Sequence, residues 1–253
     1  MRSLRHSVPP GCRAVLRTAD GCRRKGLPPR SARAPQDAAS PADHPPRPSG
    51  GPVTSSPLAP HPLTGGSGPI RRLTGQVATR LTARLRAADP PVQALVTEGL
   101  ERLHRAVAAR RDGRALEDLT AVELGWDLQI IRIRDEAWVA LHLDPDTMVG
   151  LLLEVGERPE EPLRAPLLSL LGYAAWHGGE HEAAHAALVG ALRIDPAYSM
   201  AHLLHLALHS GVPAAAFTDV PTPAEIDREM GPARGTWLDP LRPLLARYAQ
   251  PLN

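Results

Sequence analysis

The sequence predicts an all-α fold preceded by a disordered N-terminal segment, and three observations carry that expectation. Apolar residues recur at spacings of three and four from Ile70 to the C-terminal end, the period of one helix face. Residues that satisfy free amides at helix starts, and glycines or prolines that stop helices, punctuate the pattern. No stretch alternates apolar and polar residues between hairpin turns, so no sheet is expected.

Residues 1–69 differ in composition from the rest. They hold 14 of the 28 prolines and no aromatic residue; the first aromatic is Trp126. Such a segment cannot bury enough apolar surface to offset its chain entropy, so it reads as a disordered Pro/Arg-rich tail. The tail carries ten Arg or Lys against Asp20, Asp37 and Asp43, leaving the remainder acidic. A flexible basic tail can touch polyanions without preference, but no aromatic interleaves its arginines to stack on bases, so nucleic acid is not an expected partner. Lys25 is the only lysine, a usage that points to GC-rich coding DNA and weakens any charge argument. Both cysteines, Cys12 and Cys22, lie in the tail, which fits a reducing cytoplasm. The start lacks the apolar run of a secretory signal, and Pro9, Pro10, Pro28 and Pro29 would break the amphipathic helix of a transit peptide. The longest apolar stretches, such as Met148 to Val155, fall short of the ~18 residues of a membrane span.

Ile70, Leu73, Val77, Leu81 and Leu85 place one stripe on a first helix that ends before Asp89-Pro90-Pro91. Val92, Leu95, Val96, Leu100, Leu103 and Val107 mark a second, closed by Asp112-Gly113. Thr120 and Glu123 have the spacing of a capping box and predict the next helix start. Trp126, Ile130 and Ile133 follow on one face, and Arg134, Asp135, Trp138 and Leu141 continue the helical signal after a kink. Asp144 can cap a helix with Pro145 at its first position, and Met148, Val149, Leu152 and Leu153 form that helix's apolar face up to Gly156. Thr222, Pro223 and Glu225 open a short helix ended by Gly231-Pro232, and a last amphipathic piece runs through Trp237, Leu241, Leu244, Leu245 and Tyr248. The chain therefore divides into a tail over 1–69, a helical domain over 70–220 and a C-terminal helical extension over 221–253.

Within the helical domain, residues 166–211 hold a helix hairpin running into a third helix. Leu168, Leu171, Gly172 and Ala175 on its first helix, and Ala184, Leu188, Ala191 and Pro196 on its second, fall at the positions where the tetratricopeptide repeat places small or packing residues. Gly178-Gly179-Glu180 supplies the turn. The segment thus resembles a single tetratricopeptide unit, and beyond Tyr198 the pattern fades, with His202 and His205 where bulky apolar residues would be expected. A wider set of residues resembles a second family: Arg134-Asp135, then the hairpin, then Ala191 to Ser199 (Ala-Leu-Arg-Ile-Asp-Pro-Ala-Tyr-Ser) and Ala207 to Pro213 (Ala-Leu-x-x-Gly-Val-Pro). Together they look like the C-terminal part of the actinobacterial domain-of-unknown-function family 4192, over roughly 70–217 and most strongly from Ile133 onward. The resemblance implies a preceding α/β portion, which here corresponds in length to the proline-rich tail, so the chain reads as a truncated member. It implies no activity.

Six histidines form the most conspicuous chemical feature: His177, His181 and His185 at spacings of four, then His202, His205 and His209. Such spacings present imidazoles along one helix face, as metal sites require, although His177 precedes the glycine turn. The preferred reading makes them surface or half-buried polar residues at a helix interface. The alternative is a metal-binding regulator or enzyme using His181, His185, His202 and His205, whose nitrogens must then approach within about 4–5 Å of one another. Arg134 and Asp135 point about 100° apart on a helix and are expected to find separate ion-pair partners; Trp126, Trp138 and Trp176 are expected as core anchors. No catalytic residue, cofactor or metal is assigned. The function expected is a non-enzymatic helical interaction domain that receives another protein or a missing N-terminal portion.

Overall fold

The computed structural model describes residues 66–87, 91–217 and 220–248. The disorder expected of the tail lies outside these residues, apart from positions 66–69. Ten α-helices and no strand stand among the described residues: α1 (Gly68–Leu85), α2 (Val92–Arg111), α3 (Asp118–Asp127), α4 (Ile131–Leu143), α5 (Pro145–Gly156), α6 (Ala165–His177), α7 (His181–Ile194), α8 (Ser199–His209), α9 (Pro223–Met230) and α10 (Leu241–Tyr248). The fold is all-α, as the periodicity predicts.

Local signals set most boundaries. Pro69 occupies the first turn of α1, where its missing N–H would have no helical partner in any case. The Asp144 carboxylate accepts the Thr147 amide at 3.4 Å and Pro145 follows it, opening α5. Thr222 and Glu225 form a full capping box at α9. Gly179, at φ +79°, lets the Glu180 amide reach back to the Ala175 carbonyl at 2.8 Å, which ends α6 and turns the chain into α7.

One expected boundary is wrong. The Thr120–Glu123 box does not form; α3 begins at Asp118, after Glu117, with no side-chain cap. Glu123 instead accepts Arg80 of α1 and Arg102 of α2, each at 3.0 Å. Two guanidiniums outcompete one backbone amide for the same carboxylate.

In the packing, α2 lies against α3, α4 and α5, α1 covers α3, and α10 returns onto α1. α6 and α7 make the most intimate helix pair, with α8 laid across both. A Cβ at Gly172 would fall 2.8 Å from the Leu188 Cγ, so the bare glycine is what admits α7 this closely. Trp126, Trp138 and Trp176 are all buried, as expected of core anchors. Their edges meet Tyr248 (5.4 Å), Tyr173 (5.4 Å) and Phe217 (5.0 Å), tying distant parts of the chain together. Among the described residues, no helix is long and apolar enough to cross a membrane.

The interior of α4 is charged. Arg132 donates to Glu136 at 2.8 Å and to Asp227 of α9 at 2.6 Å, and the other Glu136 oxygen meets the His104 Nε2 at 2.9 Å. Arg134 and Asp135 do not find separate partners. Both are buried and bind each other, with the Arg134 Nη2 donating to the Asp135 Oδ1 at 2.7 Å while Nη1 donates to the Tyr198 hydroxyl at 3.5 Å. The arginine side chain is long enough to fold back across the turn, and in the interior no water competes for the carboxylate. Burial outweighs the guanidinium and holds the Asp135 carboxyl above the usual carboxylate range.

Candidate functional site

The histidines separate into those that meet and those that do not. α7 and α8 run antiparallel, so the start of α7 lies beside the end of α8, and there His185, His205 and His209 converge. The ring centroids of His185 and His205 stand 5.3 Å apart in a stacked arrangement, those of His205 and His209 4.2 Å, and those of His185 and His209 5.1 Å. Each residue offers one ring nitrogen, and the three nitrogens lie within 4.8 Å of one another. Two rings come from one helix, four residues and one turn apart; the third crosses from its neighbour.

Hydrogen bonds assign roles within the trio. The His209 Nδ1 stands 3.1 Å from the His205 carbonyl oxygen. A carbonyl can only accept, so Nδ1 carries a proton and the Nε2 lone pair of the neutral ring faces elsewhere. The half-buried His205 has its Nε2 enclosed with no hydrogen-bond partner. Burial, followed by the neighbouring His209, His185 and His202, pushes the His205 pKa down, so this ring is neutral at physiological pH and able to donate a lone pair.

His181 and His202 stand outside the trio. His181 is exposed at the first position of α7, and the His202 Nε2 donates to the Pro196 carbonyl at 2.6 Å. Of the four histidines in the alternative reading, only His185 and His205 come together, with His209 beside them. His177 lies apart, its ring 4.3 Å from Tyr173 and 6.1 Å from His142, and burial, then His142, lowers its pKa. The hairpin residues Leu171, Gly172, Ala175, Ala184, Leu188 and Ala191 are buried between the helices, Leu168 is half-buried and Pro196 exposed.

A family profile described as a domain of unknown function (DUF4192) matches residues 10–215. The chain belongs to the DUF4192 family. The match begins far upstream of Ile70, so the likeness reaches into the tail as well as the helices. No curated protein and no solved structure matches the chain.

This DUF4192 chain also has a cleft of about 160 Å³ between α1, α2 and α3. Arg102 holds it together, binding the Glu123 carboxylate at 3.0 Å and the Asp127 carboxylate closely, while Arg84 clasps Glu98 at 2.6 and 2.8 Å. Burial outweighs Arg102 and pushes the Asp127 carboxyl up to about 6. The Trp126 indole N–H, enclosed beside Asp127, has no partner. The sequence carries no short-range sign of this network, because its members come from three helices. His209, by contrast, was signalled by its spacing of four from His205.

Proposed function

We propose that the helical domain is a non-enzymatic interaction scaffold whose outer α7–α8 surface receives an apolar segment of another protein. The carrying observation is Leu206, which is 61% exposed on α8 between half-buried Leu203 and Leu208. Together these three leucines offer an anchor on a rigid helix for a partner's apolar side chain, whereas Leu143, though more exposed, stands at the last position of α4 between His142 and Asp144. The tetratricopeptide likeness of α6 and α7 supports the same reading, since stacked helix pairs present extended binding surfaces. The charges of the interior also fit a scaffold: buried Arg132, Arg134, Asp135, Glu136 and Asp127 and half-buried Arg102 are engaged with one another or with neighbouring side chains.

A photo-crosslinking residue at Leu206 of the full chain, expressed in its native host, should capture one principal protein, and the same residue at exposed Leu143 should not. The purified partner should then bind Leu206→Glu about tenfold or more weakly than the parent, at an unchanged melting temperature. Equal capture at both positions, or equal affinity for Leu206→Glu, would refute the assignment.

A further inference from the structure

We propose that His185, His205 and His209 form a binding site for one divalent transition-metal ion, and that zinc is the ion their imidazole donors fit best. The inference goes beyond the scaffold reading and does not depend on it. Among the described residues, no other three His, Cys, Asp or Glu side chains bring one ligand atom each into such proximity.

The geometry is close to what coordination needs. Two nitrogens on a tetrahedral ion, each about 2.1 Å from it, stand roughly 3.4 Å apart, and the three here all lie within 4.8 Å of one another. His185 and His209 are exposed, so their side chains can turn inward without disturbing the core, while half-buried His205 is the fixed ligand around which they close. Its enclosed Nε2 lacks a hydrogen-bond partner, and an ion would satisfy that nitrogen at the point where leaving it bare costs free energy. The His209 Nδ1–H, donated to the His205 carbonyl at 3.1 Å, is the outer contact that commonly fixes a ligating imidazole and directs its other nitrogen to the ion.

Three neutral donors leave the ion its full charge and at least one open position for water or a ligand from outside. The site joins two helices, so a bound ion would clamp α7 to α8. The rejected histidines sharpen the assignment: His202 spends its Nε2 on Pro196, and His181 lies at the exposed start of α7.

The test uses the full chain, purified without a histidine tag and stripped with chelator. Zinc titrated by calorimetry should bind saturably with one ion per chain. Cobalt(II), a visible-absorbing stand-in for zinc, should develop ligand-field absorption that zinc then displaces. His185→Ala and His209→Ala alter exposed side chains, and either can carry the test if the other fails to fold. Each should lose more than the roughly 10- to 100-fold typical of a lost outer-shell contact, while His181→Ala and His202→Ala bind as the parent does. Unsaturable binding would overturn the site. So would parental affinity in both trio variants, or an equal loss in His181→Ala, which would mark scattered surface histidines as the zinc binders.

Discussion

Replacing Gly172 tests the register of the α6–α7 pair directly. An added Cβ would stand 2.8 Å from the Leu188 Cγ, 3.0 Å from its Cδ2 and 3.3 Å from the Ala184 carbonyl oxygen. Leu188 is fully buried and the carbonyl belongs to α7 itself, so neither can give way without moving the helix. Overpacking of this kind costs about 1–3 kcal/mol, while helix propensity favours a side chain over glycine by up to about 1 kcal/mol. For alanine the two terms nearly offset. Leucine adds three more carbons to the same space with no further gain in propensity, so Gly172→Leu should cost about 2 kcal/mol. In a helical body of this size that lowers the melting temperature by about 4–8 °C. Gly75, inside α1 with nothing within 4 Å of an added Cβ, supplies the opposite sign. Gly75→Ala should raise melting by about 2–4 °C through propensity alone. Far-ultraviolet circular dichroism reads both. A Gly172→Leu protein that melts at or above the parent, while Gly75→Ala shifts upward as expected, would refute the close approach of α6 and α7.

Two further outcomes follow from the buried charges. The Asp127 carboxyl, pushed from an ordinary 3.8 up to about 6, binds its proton more tightly folded than unfolded, so between these values stability falls as pH rises. Asp127→Asn should remove a decline of about 2–3 kcal/mol across that window, and parallel urea-denaturation profiles for parent and variant would contradict it. Arg134→Met strands the buried Asp135 carboxylate and should cost about 3–5 kcal/mol, most of which returns when Asp135→Leu is added; urea midpoints decide this, and a single variant as stable as the parent would show that the pair carries no such penalty.

Where the sequence was legible, the deciding interaction was short. Asp144 with Thr147, Thr222 with Glu225, and the glycine turn at Gly179 each close within one helical turn, so residue identity and spacing contain nearly all the relevant physics. Thr120 with Glu123 has the same spacing and fails. Arg80 lies 43 residues from Glu123, and only the packing of α1 and α2 against α3 brings its guanidinium and that of Arg102 to the carboxylate. The Arg134–Asp135 pair departs from its expected geometry for a related reason: the angle between adjacent helical residues describes their Cβ directions, whereas a long side chain in a dry interior bends toward the nearest opposite charge.

The histidine trio shows how far spacing carries a site and what must be added to it. His205 and His209 share a face because they are one turn apart on α8, and that relation is visible in the sequence. The choice of His185 as their partner depends on the direction of α7 against α8. In antiparallel helices a step forward along one is met by a step backward along the other, so once His185 lies opposite His205 and His209, His202 must fall opposite a later turn of α7. There its Nε2 is taken by the Pro196 carbonyl at 2.6 Å. The set His181, His185, His202 and His205 treated the two rows of histidines as if they advanced together. Antiparallel packing makes them run past each other and overlap only where the start of α7 meets the end of α8, which is why His209, at the very end of its helix, belongs to the site and His202 does not.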